Sequence, residues 1–168
     1  MIDSNLLMRR ALRQACDDNN LVPDTINMMD TKTRNKFQSL VIATADDMKY
    51  DQLKYFRPFD HQKKFFLTGK SDRRGILAAN RIGKTVSTCY EVAMHLTGRY
   101  PTWWKGKVFT GPITVMVAGE GWQQVAMVLQ NELLGTQDIK ITEAVGTGAI
   151  PRDSIVFETM RKIGRAHV

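Results

Sequence analysis

The stretch Ile76-Leu77-Ala78-Ala79-Asn80-Arg81-Ile82-Gly83-Lys84-Thr85 decides the expected fold. Its last eight residues follow the phosphate-loop pattern G-x-x-x-x-G-K-[ST], with Ala78 in place of the first glycine. The chemistry of the pattern survives that change. Gly83 lets backbone approach a phosphate, and the loop amides point at its oxygens. Lys84 supplies a cation for the β and γ oxygens. Thr85 offers a hydroxyl to magnesium at the first turn of a helix whose N-terminus favours an anion. Ile76-Leu77-Ala78-Ala79 suits a buried strand, and Val86 to Leu96 carries apolar residues at helical spacing up to Gly98. A Gly-Lys-Thr triplet also arises by chance, as a plain turn that starts a helix.

Working outward, Ile113 to Ala118 reads as a second strand and Gly119 to Gly121 as its turn into a helix over Trp122 to Leu134. Ile139 to Thr142 and Ser154 to Phe157 are short strand candidates around a loop at Gly146 to Pro151. Strand, loop, helix, strand, helix, strand is the order of an α/β protein of the P-loop NTPase kind, a parallel sheet flanked by helices. Upstream, Asp3 to Cys16 and Thr31 to Lys49 have helical periodicity, the second capped by Asp30 or Thr31. The expected organisation is an N-terminal helical segment over 1–50 and a partial, truncated P-loop ATPase domain over 51–162.

Residues 163–168, Ile-Gly-Arg-Ala-His-Val, match the translation of ATC-GGA-AGA-GCA-CAC-GTC, the start of a common short-read sequencing adapter. The next adapter triplet is a stop. The tail is therefore expected to be adapter read-through, and the chain the N-terminal part of a longer protein.

Hydrophobic residues make up 43% of the 168, enough for a core and too many for a disordered chain. The formal charge of +7 and a pI near 9.6 suit an anionic partner. Cys16 and Cys89 lie far apart, match no metal spacing and read as free thiols in a reducing compartment. No stretch reads as a secretory leader or is apolar enough to span a membrane.

Other residues fit a nucleotide site. Gln62 lies sixteen positions before Ala78. Its amide both donates and accepts, which matches the adenine edge; Phe59 and Phe65 are candidates for covering the base. An ordinary exposed helix glutamine is the alternative. Glu120 falls at the end of the Ile113–Ala118 run and reads equally as a helix N-terminal carboxylate. A triphosphatase also needs one carboxylate for magnesium and another for the attacking water. Glu158, after Ile155-Val156-Phe157, is a weak match to that requirement.

Three segments resemble the large subunit of tailed-phage terminase, the ATP-driven motor that packages DNA into proheads. They are Phe56-Arg57-Pro58-Phe59-Asp60-His61-Gln62, Ile76 to Thr85, and Tyr100 to Phe109 with its Trp103-Trp104 pair. The resemblance runs from about Arg57 to Phe157. It implies an ASCE (RecA-like) ATPase core with ATP and magnesium as cofactors, an adenine-reading Gln62, and an ATP-binding loop over Ala78, Ala79, Asn80, Arg81, Ile82, Gly83, Lys84 and Thr85. Lys84 is then the phosphate lysine and Thr85 the magnesium ligand. Many members place an arginine three residues before the last glycine of the loop. That position is Asn80 here, and Arg81, one residue later, is the candidate for acting on the γ-phosphate. The resemblance further implies a downstream Asp-Glu pair and a nuclease domain, both beyond this chain. It implies double-stranded DNA, the terminase small subunit and the portal protein as partners, a homo-oligomeric full-length motor, and the host cytoplasm as location. Without the second acid, the chain alone is expected to be deficient in hydrolysis. Rival readings are a helicase-like or recombination ATPase, and a non-catalytic nucleotide-binding assembly module.

Overall fold

The chain divides into two units, Met1–Tyr50 and Asp51–Val168, in a computed structural model that describes residues 4–121, 123, 125–135 and 144–156. The first unit is a pair of helices, α1 (Ser4–Asp18) and α2 (Thr31–Tyr50), joined through the 3-10 helix Pro23–Met28. Residues four apart share a helix face. Ala11, Ala15 and Cys16 of α1 accordingly form one core with Phe37, Val41 and Ala45 of α2. Asp30 caps α2, its Oδ1 accepting from the Lys32 and Thr33 amides at 3.0 and 3.1 Å. The hydrogen bonds from Thr33 hold its carboxyl below the ordinary range.

The second unit is built around α5 (Lys84–Thr97), after α3 (Gln52–Tyr55) and α4 (Asp60–Leu67). Tyr90, Ala93 and Met94, at helical spacing on α5, meet Leu53, Phe66, Trp104 and Ala149 in a second core. Phe56 stacks on Tyr90 with ring centroids 3.9 Å apart. Trp104 is buried and donates its indole N–H to the Lys107 carbonyl at 3.1 Å. Gly106 passes so close that a Cβ there would lie 2.1 Å from the indole. A fully buried ring of this size is worth about 3 kcal/mol, so the Trp103-Trp104 segment anchors the core. The helix expected over 122–134 is described from residue 125, as a π-helical turn at Val125–Leu129 followed by α6 (Gln130–Leu134). The last carbonyls of α6 need donor partners. The amides of Gly146, Ala149 and Ile150 donate to Leu134, Glu132 and Leu133 at 2.8 to 2.9 Å. Among the described residues, no helix is long and apolar enough to cross a membrane.

Burial raises the Glu132 carboxyl above its ordinary value. A raised folded-state value means that folding favours the protonated form, so this group contributes most below its unfolded value. That contribution is lost as pH rises through the folded value. Glu132→Gln is therefore expected to raise the melting temperature at pH 7 and to make little difference near pH 4. Thermal melts at both values check it; an equal shift at both would show that the ionised carboxylate is not the cause.

The expected parallel sheet is not there. Among the described residues there is no strand, only one isolated bridge between Thr147 and Pro151. Residues 76–79 and 113–118 carry no regular structure, and Leu77 and Met116 are 102% and 92% exposed. The physical reason is local. A strand holds only if its carbonyls and amides find a neighbouring strand. Here the carbonyls of Ala78 and Ala79 accept from the Lys84 ammonium instead, at 2.7 and 2.8 Å. Ser154, the first residue of another expected strand, ends a 3-10 helix over Arg152–Ser154 and donates its amide to Pro151. The expected strand at 139–142, Phe157, Glu158 and the tail 163–168 lie outside the described residues. The α/β class is thus corrected to a helical fold with long irregular connections.

Candidate functional site

The residues Ala78 to Thr85 form a closed loop that leads directly into α5. Arg81, exposed at its tip, has φ of 63°, a left-handed conformation uncommon outside glycine. Gly83 is the N-cap of α5 with φ 83° and ψ 27°. With no side chain it places no capping oxygen over the helix end. The first i to i−4 bond of α5 runs from the Ser87 amide to the Gly83 carbonyl at 2.9 Å. The amides of Lys84, Thr85 and Val86 precede it, so no carbonyl within the helix is placed to receive them. They lie where the positive end of the helix dipole is strongest.

Lys84 opens α5 and turns its ammonium back across the loop onto the Ala78 and Ala79 carbonyls. This contact closes a ring of seven residues around the helix end. The charge belongs to the first residue of the same uncapped helix. A phosphate fits such a setting: it offers the acceptor oxygens that both the amides and the ammonium require. Thr85 follows on the first turn of α5, where its hydroxyl would hold magnesium if the ion accompanied the phosphates.

Gln62 is brought to this loop, in a manner different from the expected one. It is 5% exposed, not an exposed helix glutamine. Its Oε1 accepts from the Phe59 amide at 2.9 Å, and its Nε2 donates to the Gly83 carbonyl at 3.3 Å. The neighbouring His61 donates Nε2–H to the Ile82 carbonyl at 2.8 Å. Phe59, 70% exposed, stacks on His61 with centroids 5.8 Å apart. Phe65 instead carries the Arg74 guanidinium over its ring at 4.6 Å. His61 was invisible as a loop contact because it is 21 residues from Ile82; its place beside Gln62 at the start of α4 was the available signal.

A second polar cluster lies further along α5. Glu91, 5% exposed, is ion-paired to Arg74 and faces His95 Nε2 at 3.4 Å. His95 Nδ1 accepts from the Tyr100 hydroxyl at 3.1 Å, and that hydroxyl accepts from the Phe109 amide at 3.1 Å. Arg74, Glu91, His95 and Phe109 line an open cleft of about 340 Å³ that includes none of the loop residues 78–85. Glu91 and His95 lie four apart on one helix face, a pairing that was not read from the sequence, and neither was Arg74. Among the described residues no group of three or more His, Cys, Asp or Glu is placed to hold a metal ion. Glu120 is exposed.

No family model matches the chain, and no solved structure does. Among curated proteins, the large subunit of the terminase of Salmonella phage P22 is 33% identical over 114 aligned residues. The alignment covers 60% of this chain, and the chain spans 22% of the length of that relative. Over that part, the chain is similar to a phage terminase large subunit.

Proposed function

We propose that the loop Ala78–Thr85 binds the phosphates of ATP with magnesium, and that the chain is the ATP-binding part of a terminase-like motor that moves double-stranded DNA into a prohead. The observation that carries this reading is the Lys84 ammonium closing the loop over the uncapped start of α5. This cradle consists of a loop and a helix end, and it needs no sheet for its chemistry. Arg81, at the exposed tip, is the residue proposed to reach the γ-phosphate. The similarity to the terminase large subunit supports the motor role. The small subunit, the portal protein and further copies of the chain are the proposed partners of the whole protein.

A binding role without turnover is favoured for this chain alone. Glu91, the buried acid on α5, is held by Arg74 and His95 and is not free to activate water. Removing water positioning and charge stabilisation together costs orders of magnitude in rate. A titration with a fluorescent ATP analogue and magnesium, paired with a phosphate-release assay, tests both parts. Saturable binding with release at the buffer rate is expected. Absence of binding would refute the loop assignment. Steady turnover that depends on Lys84 would show that a carboxylate does serve the site, with Glu158 the first to substitute.

A further inference from the structure

We propose that Gln62 and His61 are positioning residues that clamp the phosphate loop, so that the site holds its ligand by the triphosphate and not through a base-reading glutamine. The inference rests on the proposed phosphate role of the loop, but its geometry stands apart from any ligand. Two consecutive side chains in the first turn of α4 take two consecutive carbonyls of the loop, Ile82 by His61 and Gly83 by Gln62. The Gln62 amide cannot be turned around. Its oxygen faces an N–H and its nitrogen faces a C=O, so a flip would set donor against donor and acceptor against acceptor. The amide also lies directly over Gly83, where a Cβ would come within 2.6 Å of Nε2. A glutamine buried and tied at both ends of its amide is a strut between α4 and the loop. One Nε2 hydrogen and one Oε1 lone pair are left over, but at 5% exposure they do not face an open base site, and turning them to an adenine edge would break the bonds that hold the amide.

The strut explains why the loop keeps its shape. Arg81 and Gly83 both sit at positive φ, which is unfavourable for Arg81 and makes Gly83 hard to replace. Such backbone persists where neighbours fix it. His61 and Gln62 flank this strained pair on the side of α4 and fix the Ile82 and Gly83 carbonyls, while Lys84 fixes the opposite arm of the loop at Ala78 and Ala79.

The test uses the full chain and the variants His61→Ala and Gln62→Met. His61 is exposed, so its removal spares the fold, and methionine keeps the volume of Gln62. Amide hydrogen exchange without ligand reads the clamp directly. The Ser87 amide, which donates to the Gly83 carbonyl, reports on the clamped backbone; it should exchange about three to ten times faster in either variant, as expected for loss of one net hydrogen bond, with the core of α5 unchanged. Unchanged exchange in both variants would overturn the clamp. Titration with magnesium-ATP, magnesium-GTP and inorganic tripolyphosphate reads the specificity. The parent should bind ATP and GTP within about threefold, and the variants should lose affinity for all three ligands by one common factor. A Gln62→Met variant that loses ATP and keeps tripolyphosphate would overturn the proposal and restore the base-reading role. If the parent bound none of the three, the phosphate reading and the specificity claim would fall together, and the exchange data alone would still decide the clamp.

Discussion

Lys84→Ala is expected to lower ATP affinity by roughly a hundredfold while leaving the melting temperature within a few degrees of the parent. The ammonium makes two hydrogen bonds, to the Ala78 and Ala79 carbonyls, at 2.7 and 2.8 Å. In the proposed binding role, those donors transfer to the phosphate oxygens. Hydrogen bonds from a charged group are worth about 1.5 to 3 kcal/mol each, and about 2.8 kcal/mol is a factor of a hundred in affinity. The folding cost is smaller. The loop is largely exposed, so water replaces the lysine at the two carbonyls and no buried acceptor is orphaned. Lys84→Arg is not a rescue, because a planar fork does not replace a compact ammonium inside a ring of seven residues. Titration and thermal melts on the same samples check both halves. Equal ATP affinity in parent and variant would rule out a phosphate role for the loop; a large fall in melting temperature would make Lys84 a structural residue.

The helices were legible because their signal is local. Phe37, Val41 and Ala45 recur at four-residue spacing and are buried together on α2, and Tyr90, Ala93 and Met94 do the same on α5. The caps were legible too: Asp30 starts α2, and Gly98, at φ 68°, ends α5. The sheet was misread because strand pairing is not local. Ile76-Leu77-Ala78-Ala79 and Ile113 to Ala118 are as apolar as strands, yet apolar content alone does not say whether a second strand lies alongside. In the structure, the Lys84 side chain takes the carbonyls that a neighbouring strand would have needed. The contact of Gln62 with the loop was legible, and its geometry was not. Gln62 does come to Gly83, as its position before the loop suggested, but with its amide committed to backbone. Its oxygen makes the capping-box return from N3 to the N-cap amide of Phe59, a spacing signal that was not used.

Glu91→Ala is expected to destabilise the second unit by about 3 kcal/mol, the largest loss from any single change considered. Removing one partner of a buried ion pair costs about 3–5 kcal/mol, because the other charge is left without compensation. The lower end applies here. The Arg74 side chain is 19% exposed, so part of its guanidinium reaches water once the carboxylate is gone. The rest stays over the Phe65 ring. The loss spreads further than one pair. His95 Nε2–H faces the same carboxylate oxygen, and its Nδ1 is tied through the Tyr100 hydroxyl to the Phe109 amide. Glu91 therefore fixes the segment before the loop 78–85 on one side and the segment after Gly98 on the other. Urea unfolding at neutral pH measures the effect on the midpoint. The pairing account makes a further demand: Arg74→Met combined with Glu91→Leu should recover most of the loss, since an apolar pair leaves no buried charge beside Phe65. If the double variant were as unstable as Glu91→Ala, the cost would lie in packing around α5 and not in the orphaned guanidinium. If Glu91→Ala itself cost less than about 0.5 kcal/mol, the usual range for neutral surface changes, the cluster would hold nothing together.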